Sequence, residues 1–216
     1  MIRLQNLLKM TGIAALLGAG LLLAACGGNG GKSGTPIGDQ DMSLGPDNAK
    51  ITLIEYASVT CAHCAEFNKD VMPELMSKYI TPGKIRYVYR EFLTPPTEVA
   101  AAGTLLARCA GKDQYFKVVD EIMKAQGEMF GDGTTTNALP VLKRIGEAHG
   151  VSGAAFDKCV SDPKGLLRLQ NNVDKYLKED NVTGTPTFFI NGKKLERKTG
   201  TISDFDDAFA PLLAGK

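Results

Sequence analysis

The sequence predicts an α/β core that is interrupted by an all-helical block. Residues 51–57 (ITLIEYA) form a β-branched, apolar run that is typical of a central buried strand, and residues 84–92 (KIRYVYREF) alternate like a second strand. Between residues 97 and 180 the apolar periodicity is helical throughout, and strand character returns at residues 187–190. This order of elements indicates one α/β core that carries a helical insertion.

The helical block contains two segments whose apolar residues recur at three- and four-residue steps. The second segment begins at Asp162-Pro163, a combination that is typical of a helix N-terminus. These recurring residues are expected to form the apolar faces: Val99, Ala102, Leu106 and Cys109 in one segment, and Leu166, Leu169, Val173 and Leu177 in the other.

Turn signals divide the remainder of the core. A helix is expected to follow the first strand as far as about Tyr79, with a kink at Pro73. The Asn191-Gly192 dipeptide predicts a tight hairpin that leads into a strand at residues 193–196. Residues 203–213 are predicted to form a closing helix.

Composition and charge exclude several classes of protein. The chain has 216 residues, 44% hydrophobic and 23% charged, which is sufficient for a buried core. The net charge of the full chain is +1. Removal of a leader that contains Arg3 and Lys9 leaves 23 basic and 24 acidic residues, a net charge of −1. Neither charge provides the positive field of a nucleic-acid binder. The sequence contains only two histidines, His63 and His149, so a multi-histidine metal site is excluded, and neither a metal nor a cofactor is expected.

The first 25 residues have the pattern of a secretory signal. A short basic region is followed by an uncharged apolar stretch at residues 10–25, too short for a typical transmembrane helix. Residues 23–26 (LAAC) resemble a bacterial lipobox, which implies cleavage before Cys26, acylation of Cys26 and a membrane anchor. The alternative is an ordinary secretory signal cut near Ala25. Residues 26–40 are glycine-rich and are predicted to form a flexible tether.

A cysteine pair, Cys61 and Cys64, lies between the end of the first predicted strand and the start of the helix that follows it. The unpaired N–H groups at a helix N-terminus favour a thiolate, and His63 between the cysteines can lower the pKa of Cys61 further. Cys64, one turn later, is placed to resolve a mixed disulfide formed on Cys61. Two alternatives are half of a zinc site, although the other half is missing, and an inert structural disulfide.

Two motifs together make the chain similar to the DsbA family of thiol:disulfide oxidoreductases. They are residues 55–64 (EYASVTCAHC) and residues 184–192 (GTPTFFING). The resemblance extends from about residue 41 to residue 213. It implies a thioredoxin fold in two parts, residues 41–96 and 181–216, separated by a helical insertion at residues 97–180.

The resemblance also implies roles for individual residues. Cys61 matches the surface-exposed nucleophile and Cys64 the buried resolving cysteine. Pro186 matches a cis-proline that, with Thr185 before it, presents backbone groups to a substrate peptide; the alternative is a trans-proline that opens an edge strand. Glu55 matches a buried acid that assists proton movement at the resolving cysteine. Its alternative is a strand glutamate that faces solvent.

Three positions depart from the pattern of the best-known oxidases of the family. Ala62 replaces a proline within the dipeptide that tunes the redox potential. Thr185 replaces a valine and is more familiar from isomerase-type members. Asn68 replaces an acid. These departures leave open the direction in which electrons flow.

Two further cysteines lie in the helical block. The Ala-Arg-Cys-Ala-Gly context of Cys109 resembles a DsbA subgroup that has a second disulfide, which implies a Cys109–Cys159 bridge. A bridge closing a loop of about 50 residues is worth up to about 4 kcal/mol in the chain-entropy model. The alternative is two free buried thiols.

The leading hypothesis is an exported, lipid-anchored, monomeric enzyme in the bacterial cell envelope, facing the periplasm. It donates its Cys61–Cys64 disulfide to reduced or misfolded exported proteins, and a quinone-linked membrane oxidase restores it. A second hypothesis has the same fold but makes the protein an isomerase or reductase that a membrane partner keeps reduced. Thr185 supports this hypothesis. The lack of an N-terminal dimerisation domain argues against the dimeric isomerase design. A third is a non-catalytic chaperone that binds polypeptides beside Pro186.

Overall fold

The computed structural model describes residues 36–215, and its core is a five-stranded mixed sheet. The strands are β1 (Met42–Leu44), β2 (Ile51–Ala57), β3 (Ile85–Glu91), β4 (Thr187–Ile190) and β5 (Lys193–Lys194), in the spatial order β1-β3-β2-β4-β5. β2 and β3 are parallel, and the other neighbouring pairs are antiparallel. The parallel pair has buried residues on both faces, which explains its nearly continuous apolar sequence.

The helices that follow β2 and β4 belong to the same core as the sheet. α1 (Ala62–Asp70) and α2 (Met72–Leu75), followed by a π-helical turn at Met76–Ile80, connect β2 to β3. The closing helix α9 (Ser203–Leu213) has the predicted bounds and contributes Phe205 and Phe209 to the core. The predicted kink is instead a break at Val71, one residue before a new helix that has proline in its first turn.

The helical insertion lies between β3 and β4 and contains the remaining helices. These are α3 (Thr97–Cys109), α4 (Lys112–Lys124), α5 (Gln126–Phe130), α6 (Ala138–Ala148), α7 (Gly153–Val160) and α8 (Pro163–Glu179). Buried side chains from α3, α4 and α6 join those of one sheet face in a single continuous cluster. The insertion and the sheet therefore share one hydrophobic core, although they are formed by different stretches of the sequence.

The other sheet face is organised by a buried arginine. Arg90, 1% exposed, donates to the Tyr56 hydroxyl at 2.7 Å, and that hydroxyl donates to Asp180 at 2.6 Å. The guanidinium also pairs with Asp41 at 3.1 Å and donates to the Pro36 carbonyl at 3.0 Å. One buried charge thus connects the sheet to the end of α8 and to the segment before β1, and its own desolvation cost is offset by these partners.

The segment before β1 differs from the flexible tether that the sequence predicted for residues 26–40. Residues 36–40 are packed onto the fold, with the Gln40 carbonyl accepting a hydrogen bond from Arg108 at 2.8 Å and Ile37 packing against the second face of the sheet. Strand β1 was also absent from the sequence expectation. The signal segment, Cys26 and the rest of the tether lie outside the described residues. No helix within residues 36–215 is long and apolar enough to cross a membrane.

Burial corrects the predicted faces of two inserted helices. Leu166 and Leu177 are 39% and 43% exposed, and α8 instead buries Leu169, Val173 and Tyr176. In α3, Cys109 is exposed at the helix end, whereas the sequence placed it on the apolar face. Strand β5 is also shorter than residues 193–196, although the Asn191-Gly192 turn has the positive φ angles, 48° and 82°, that its sequence predicts.

Cys109 and Cys159 form a disulfide, the pairing that the resemblance implies. It joins the end of α3 to α7 across a sequence separation of 50 residues, with Cys159 buried and Cys109 exposed. Both helices contribute side chains to the same hydrophobic cluster. The bridge closes a long loop that lies within the insertion.

Replacing both cysteines, Cys109→Ala with Cys159→Ala, should lower the free energy of unfolding by about 4 kcal/mol, because the unfolded chain regains the entropy of the open loop. Urea unfolding of the two proteins, with Cys61 and Cys64 alkylated in both, measures the difference. The single variant Cys109→Ala is the matched control and should lose nearly as much. A loss below about 1 kcal/mol in the double variant would contradict the entropic role.

Candidate active site

Cys61 is the N-cap residue of α1. Strand β2 ends at Ala57, and the short loop that follows brings Cys61 to the helix start with extended backbone angles (φ −81°, ψ 118°). Its sulfur accepts a hydrogen bond from the backbone N–H of Cys64 at 3.2 Å. The thiol therefore takes the position that a serine or aspartate oxygen usually occupies, and the helix N-terminus favours its ionised form.

Thr185 and Pro186 lie against this sulfur. The Thr185–Pro186 peptide bond is cis, as the resemblance implies, so the alternative of a trans-proline is wrong. The Cys61 thiol donates to the Thr185 carbonyl oxygen with the two atoms 3.4 Å apart. The two sequence motifs, 124 residues apart, thus meet at one sulfur atom.

The two cysteines of the pair are reduced and have opposite acidities. Hydrogen bonds with the side chain and the backbone N–H of Cys64 lower the pKa of Cys61 to about 6, against an opposing contribution from burial. Complete burial raises the pKa of Cys64 far above its usual value, and the hydrogen bond to Cys61 adds to the effect. Cys61 is only 9% exposed, so the expectation of a surface-exposed nucleophile needs correction: the residue is mostly covered, although less so than Cys64.

His63 contributes less to the site than its position suggested. Its ring is 80% exposed, and Nδ1 lies 2.9 Å from a Glu66 carboxylate oxygen, which raises the pKa of His63. Its charge lowers the pKa of Cys61, but this effect is smaller than those of the hydrogen bonds. Solvent screening of an exposed charge explains the difference.

Glu55 is buried beneath the pair. It is 2% exposed and accepts a hydrogen bond from the Tyr87 hydroxyl at 2.5 Å, so the alternative of a solvent-facing glutamate is wrong. Burial raises its pKa to about 8 in spite of the hydrogen bond from Tyr87, which acts in the opposite direction. Glu55 is therefore mostly neutral at pH 7. It lies close enough to Cys64 for its ionised form to raise the pKa of that thiol further.

The sequence did not single out three residues that support the site. Gln126, from the insertion, donates to the carbonyl oxygens of Val59 at 2.8 Å and Cys61 at 3.2 Å. Arg197 lies 5.3 to 5.8 Å from the centres of three aromatic rings in the core, and its charge lowers the pKa of Glu55. Tyr87 is the partner of Glu55. No local motif marks these residues, because each acts across a distance of more than 30 residues in the chain.

A groove of about 730 Å³ runs beside the pair. Its lining includes His63, Phe67, Lys69, Pro186 and Arg197, so it combines aromatic surface with charged groups. Asn68, the third departure from the oxidase pattern, points elsewhere and donates to Asp120 of α4 at 2.7 Å. An acid at this position would face a second carboxylate. Within residues 36–215 no cluster of three potential metal ligands occurs.

The ionised Cys61 should change the pH dependence of the reduction potential. Above pH 6 reduction of the disulfide takes up one proton, and below pH 6 it takes up two. The potential should therefore fall by about 30 mV per pH unit near pH 7 and by about 59 mV per unit below pH 6. The same proton linkage means that the thiolate stabilises the folded reduced form above the unfolded pKa, and that this stabilisation is lost as the pH falls through 6.

Redox titration against glutathione between pH 5 and 7.5 measures this slope. Thiolate absorbance at 240 nm in the Cys64→Ser variant gives the pKa of Cys61 independently. His63→Ala is the matched control and should raise that pKa only slightly. A single slope of about 59 mV per unit across the whole range would contradict a Cys61 pKa near 6.

Comparison with known proteins agrees with this geometry. The family model described as "Thioredoxin" matches residues 38–207. A relative from Rickettsia bellii, named "Putative protein-disulfide oxidoreductase", is 37% identical over 160 residues, which is 74% of this chain and 60% of that protein. Its counterpart in Rickettsia conorii is 35% identical over 156 residues, 72% of this chain and 55% of that protein. The chain thus spans little more than half the length of these relatives.

Solved structures superpose on the helical insertion of this chain as well as on its sheet. The α-DsbA1 protein of Wolbachia pipientis superposes with a TM-score of 0.75 and 26% identity, covering 83% of this chain and 94% of that one. BdbD of Bacillus subtilis gives a TM-score of 0.71 at 18% identity, covering 85% of this chain and 98% of that one, which shows a shared fold. The chain therefore belongs to the thioredoxin family and, within it, to the DsbA proteins, in which a helical domain interrupts the thioredoxin fold.

Proposed function

We propose that the protein is a thiol:disulfide oxidoreductase that introduces disulfides into reduced exported proteins. The observation that carries this proposal is the asymmetry of the cysteine pair: Cys61 has an ionised thiol at a helix N-terminus, and Cys64 has a buried, protonated one. A thiol with a low pKa is a good leaving group, so Cys61 readily releases a substrate sulfur to which it is bound.

The reaction transfers two electrons from substrate to enzyme. A substrate thiolate attacks Cys61 Sγ of the oxidised pair, the Cys61–Cys64 bond breaks, and Cys64 leaves with the electron pair. A second substrate thiolate then attacks the substrate sulfur of the mixed disulfide and releases the Cys61 thiolate. The substrate gains a disulfide and the enzyme ends as the dithiol. The Thr185 carbonyl, 3.4 Å from Cys61, lies where a substrate backbone would approach.

Glu55 has the protonation state that the first step requires. Cys64 leaves as a thiolate with a strongly raised pKa, so it needs a proton in a buried site. Because the pKa of Glu55 is about 8, its carboxyl group holds a proton at pH 7 and can supply it. We assign Glu55 as the proton donor to Cys64 during disulfide donation, and as the acceptor during reoxidation.

The surroundings that we propose for the enzyme rest on its predicted leader. A lipid on Cys26 would hold the protein at a membrane of the bacterial cell envelope, where it would face the periplasm and act as a monomer. Reoxidation of the dithiol needs an electron acceptor, and a quinone-linked oxidase in the membrane is of the right class. An anchor would keep the two proteins close together, which raises their effective concentration.

A second candidate function is isomerisation or reduction, with the pair kept reduced by a membrane partner. The specific observation in its favour is Thr185, whose buried hydroxyl, which the oxidases' valine lacks, has no hydrogen-bond partner within residues 36–215, while its backbone carbonyl contacts the Cys61 sulfur. The two functions differ in the reduction potential that they need. Disulfide donation calls for a value of about −120 mV, that of the strong oxidase of this family, whereas reduction calls for a value of about −230 mV or lower.

Cys61→Ser should abolish oxidation of a reduced, unfolded substrate such as reduced ribonuclease, because no sulfur remains for the substrate thiolate to attack. Cys64→Ser should instead accumulate a mixed disulfide between Cys61 and the substrate when mixed with an oxidised substrate. Non-reducing electrophoresis with mass spectrometry measures both results. Disulfide formation by Cys61→Ser at the wild-type rate would overturn the proposal. Undiminished substrate binding without either cysteine would favour the chaperone alternative.

The reduction potential of the Cys61–Cys64 pair in the wild-type protein at pH 7 assigns the direction. A value of about −120 mV supports the oxidase, and a value of about −230 mV or lower supports the second candidate. Cys109→Ala with Cys159→Ala serves as the control, so that titration of the second disulfide is not counted as that of the Cys61–Cys64 pair.

Glu55→Gln should slow disulfide donation at pH 7 by about 10²-fold, because the amide has no proton to give to Cys64. The pKa of Cys61 should not change, since Glu55 is already neutral at pH 6. Stopped-flow mixing of the oxidised enzyme with a model dithiol peptide measures the rate. Tyr87→Phe is the matched control: it removes the hydrogen bond that lowers the pKa of Glu55, so the rate should persist to higher pH. Equal rates for Glu55→Gln and wild type would exclude the assigned role.

A further inference from the structure

A second cavity, of about 640 Å³, lies on the insertion side of the sheet. It is open to solvent on one side and is lined by residues of β1, β2 and β3, of the α1–α2 segment and its π-helical turn, and of α4 of the insertion. Its volume is in the range of small-molecule binding sites. The groove beside Pro186 is a separate feature with a different lining.

The walls of the cavity are mainly apolar and deformable. Three methionines line it, Met72, Met76 and Met123, together with Phe116 and Leu44. Methionine side chains are unbranched and polarisable, so they adapt to ligands of different shape. Such a wall accommodates an apolar body without a fixed outline.

One polar group of the cavity has no partner. Tyr89 is 3% exposed, and its hydroxyl forms no hydrogen bond with any other residue in the range 36–215. A buried hydroxyl without a partner destabilises a fold, so its retention needs an explanation. Because the hydroxyl is covered, a ligand reaches it only when a neighbouring side chain moves aside. The methionines of the lining have flexible side chains that permit such a movement.

The other groups of the cavity favour a neutral ligand. Glu55 lies at its floor with one oxygen bound by Tyr87, and burial keeps this carboxyl group neutral at pH 7. The lining contains two lysines and two aspartates, whose charges cancel: Lys112, Lys117, Asp113 and Asp120. The lining therefore has no net charge that would favour an anion or a cation, and its mainly apolar surface penalises the burial of either.

We propose that this cavity binds a neutral, largely apolar small molecule through a carbonyl-type acceptor oxygen that takes a hydrogen bond from the Tyr89 hydroxyl. The apolar body lies among the three methionines and Phe116. The carbonyl satisfies the hydroxyl that the protein leaves unpaired. This site goes beyond disulfide exchange: neither Cys61 nor Cys64 lines the cavity, and Glu55 is the residue that the cavity shares with the reaction.

The experiment uses a matched pair of neutral probes, 2-acetylnaphthalene and 2-ethylnaphthalene, which differ in the carbonyl oxygen. The full chain, with Cys26→Ser to prevent acylation, carries ¹³C-methyl methionine for NMR. The ketone should shift the methyl signals of Met72, Met76 and Met123. Met129 lies in the insertion outside the cavity, and its signal should stay in place.

Tyr89→Phe should weaken ketone binding by about three- to tenfold and leave hydrocarbon binding unchanged, because it removes one hydrogen bond and little volume. The fold should survive, since the lost hydroxyl has no partner. Tyr176→Phe, on the opposite sheet face, is the matched control and should bind both probes like the wild type. Absence of shifts at the three methionines, or equal ketone affinity in Tyr89→Phe and wild type, would overturn the proposal.

Discussion

The N-cap position of Cys61 is the constraint on which the site depends. A helix that begins at the edge of a buried parallel strand needs a side-chain acceptor for its first N–H groups, and here that acceptor is a sulfur. Ionisation strengthens the cap, so the start of α1 and the acidity of Cys61 have one physical cause. Cys64 lies one turn along the same helix and becomes fully buried, which produces the opposite acidity.

The rest of the fold holds this cap in place through two sets of hydrogen bonds. Gln126 fixes the loop through the Val59 and Cys61 carbonyls, and Thr60 donates to the Thr94 carbonyl at 2.9 Å. The insertion therefore contributes to the positioning of Cys61 even though it supplies neither cysteine. Such support on rigid elements is needed because a shift of about an ångström would separate the sulfur from the Thr185 carbonyl.

Sequence alone predicted those elements whose signals are local. Strand β2, strand β4, the Asn191-Gly192 turn and helix α9 have the expected bounds, because apolar runs and turn chemistry act over a few residues. The motif around Cys61 and the cis-proline at 186 were likewise predicted by resemblance. What failed depends on long-range packing. The exposure of Leu166 is decided by the neighbouring helices, and residues 36–40 are ordered by Arg90, about 50 positions away. Tyr87 and Arg197 belong to the site for the same reason.

The low pKa of Cys61 accounts for only part of the high reduction potential that a disulfide-donating enzyme needs. With a pKa near 6, the thiolate raises the reduction potential at pH 7 by about 30 mV relative to an unperturbed thiol. The gap between thioredoxin and the strong oxidase of this family is about 150 mV. The difference must come from contacts that favour the dithiol over the disulfide at other atoms. The Thr185 backbone carbonyl contacts the Cys61 sulfur, and the neutral Glu55 lies close to Cys64, so both residues are placed to influence the direction of electron flow.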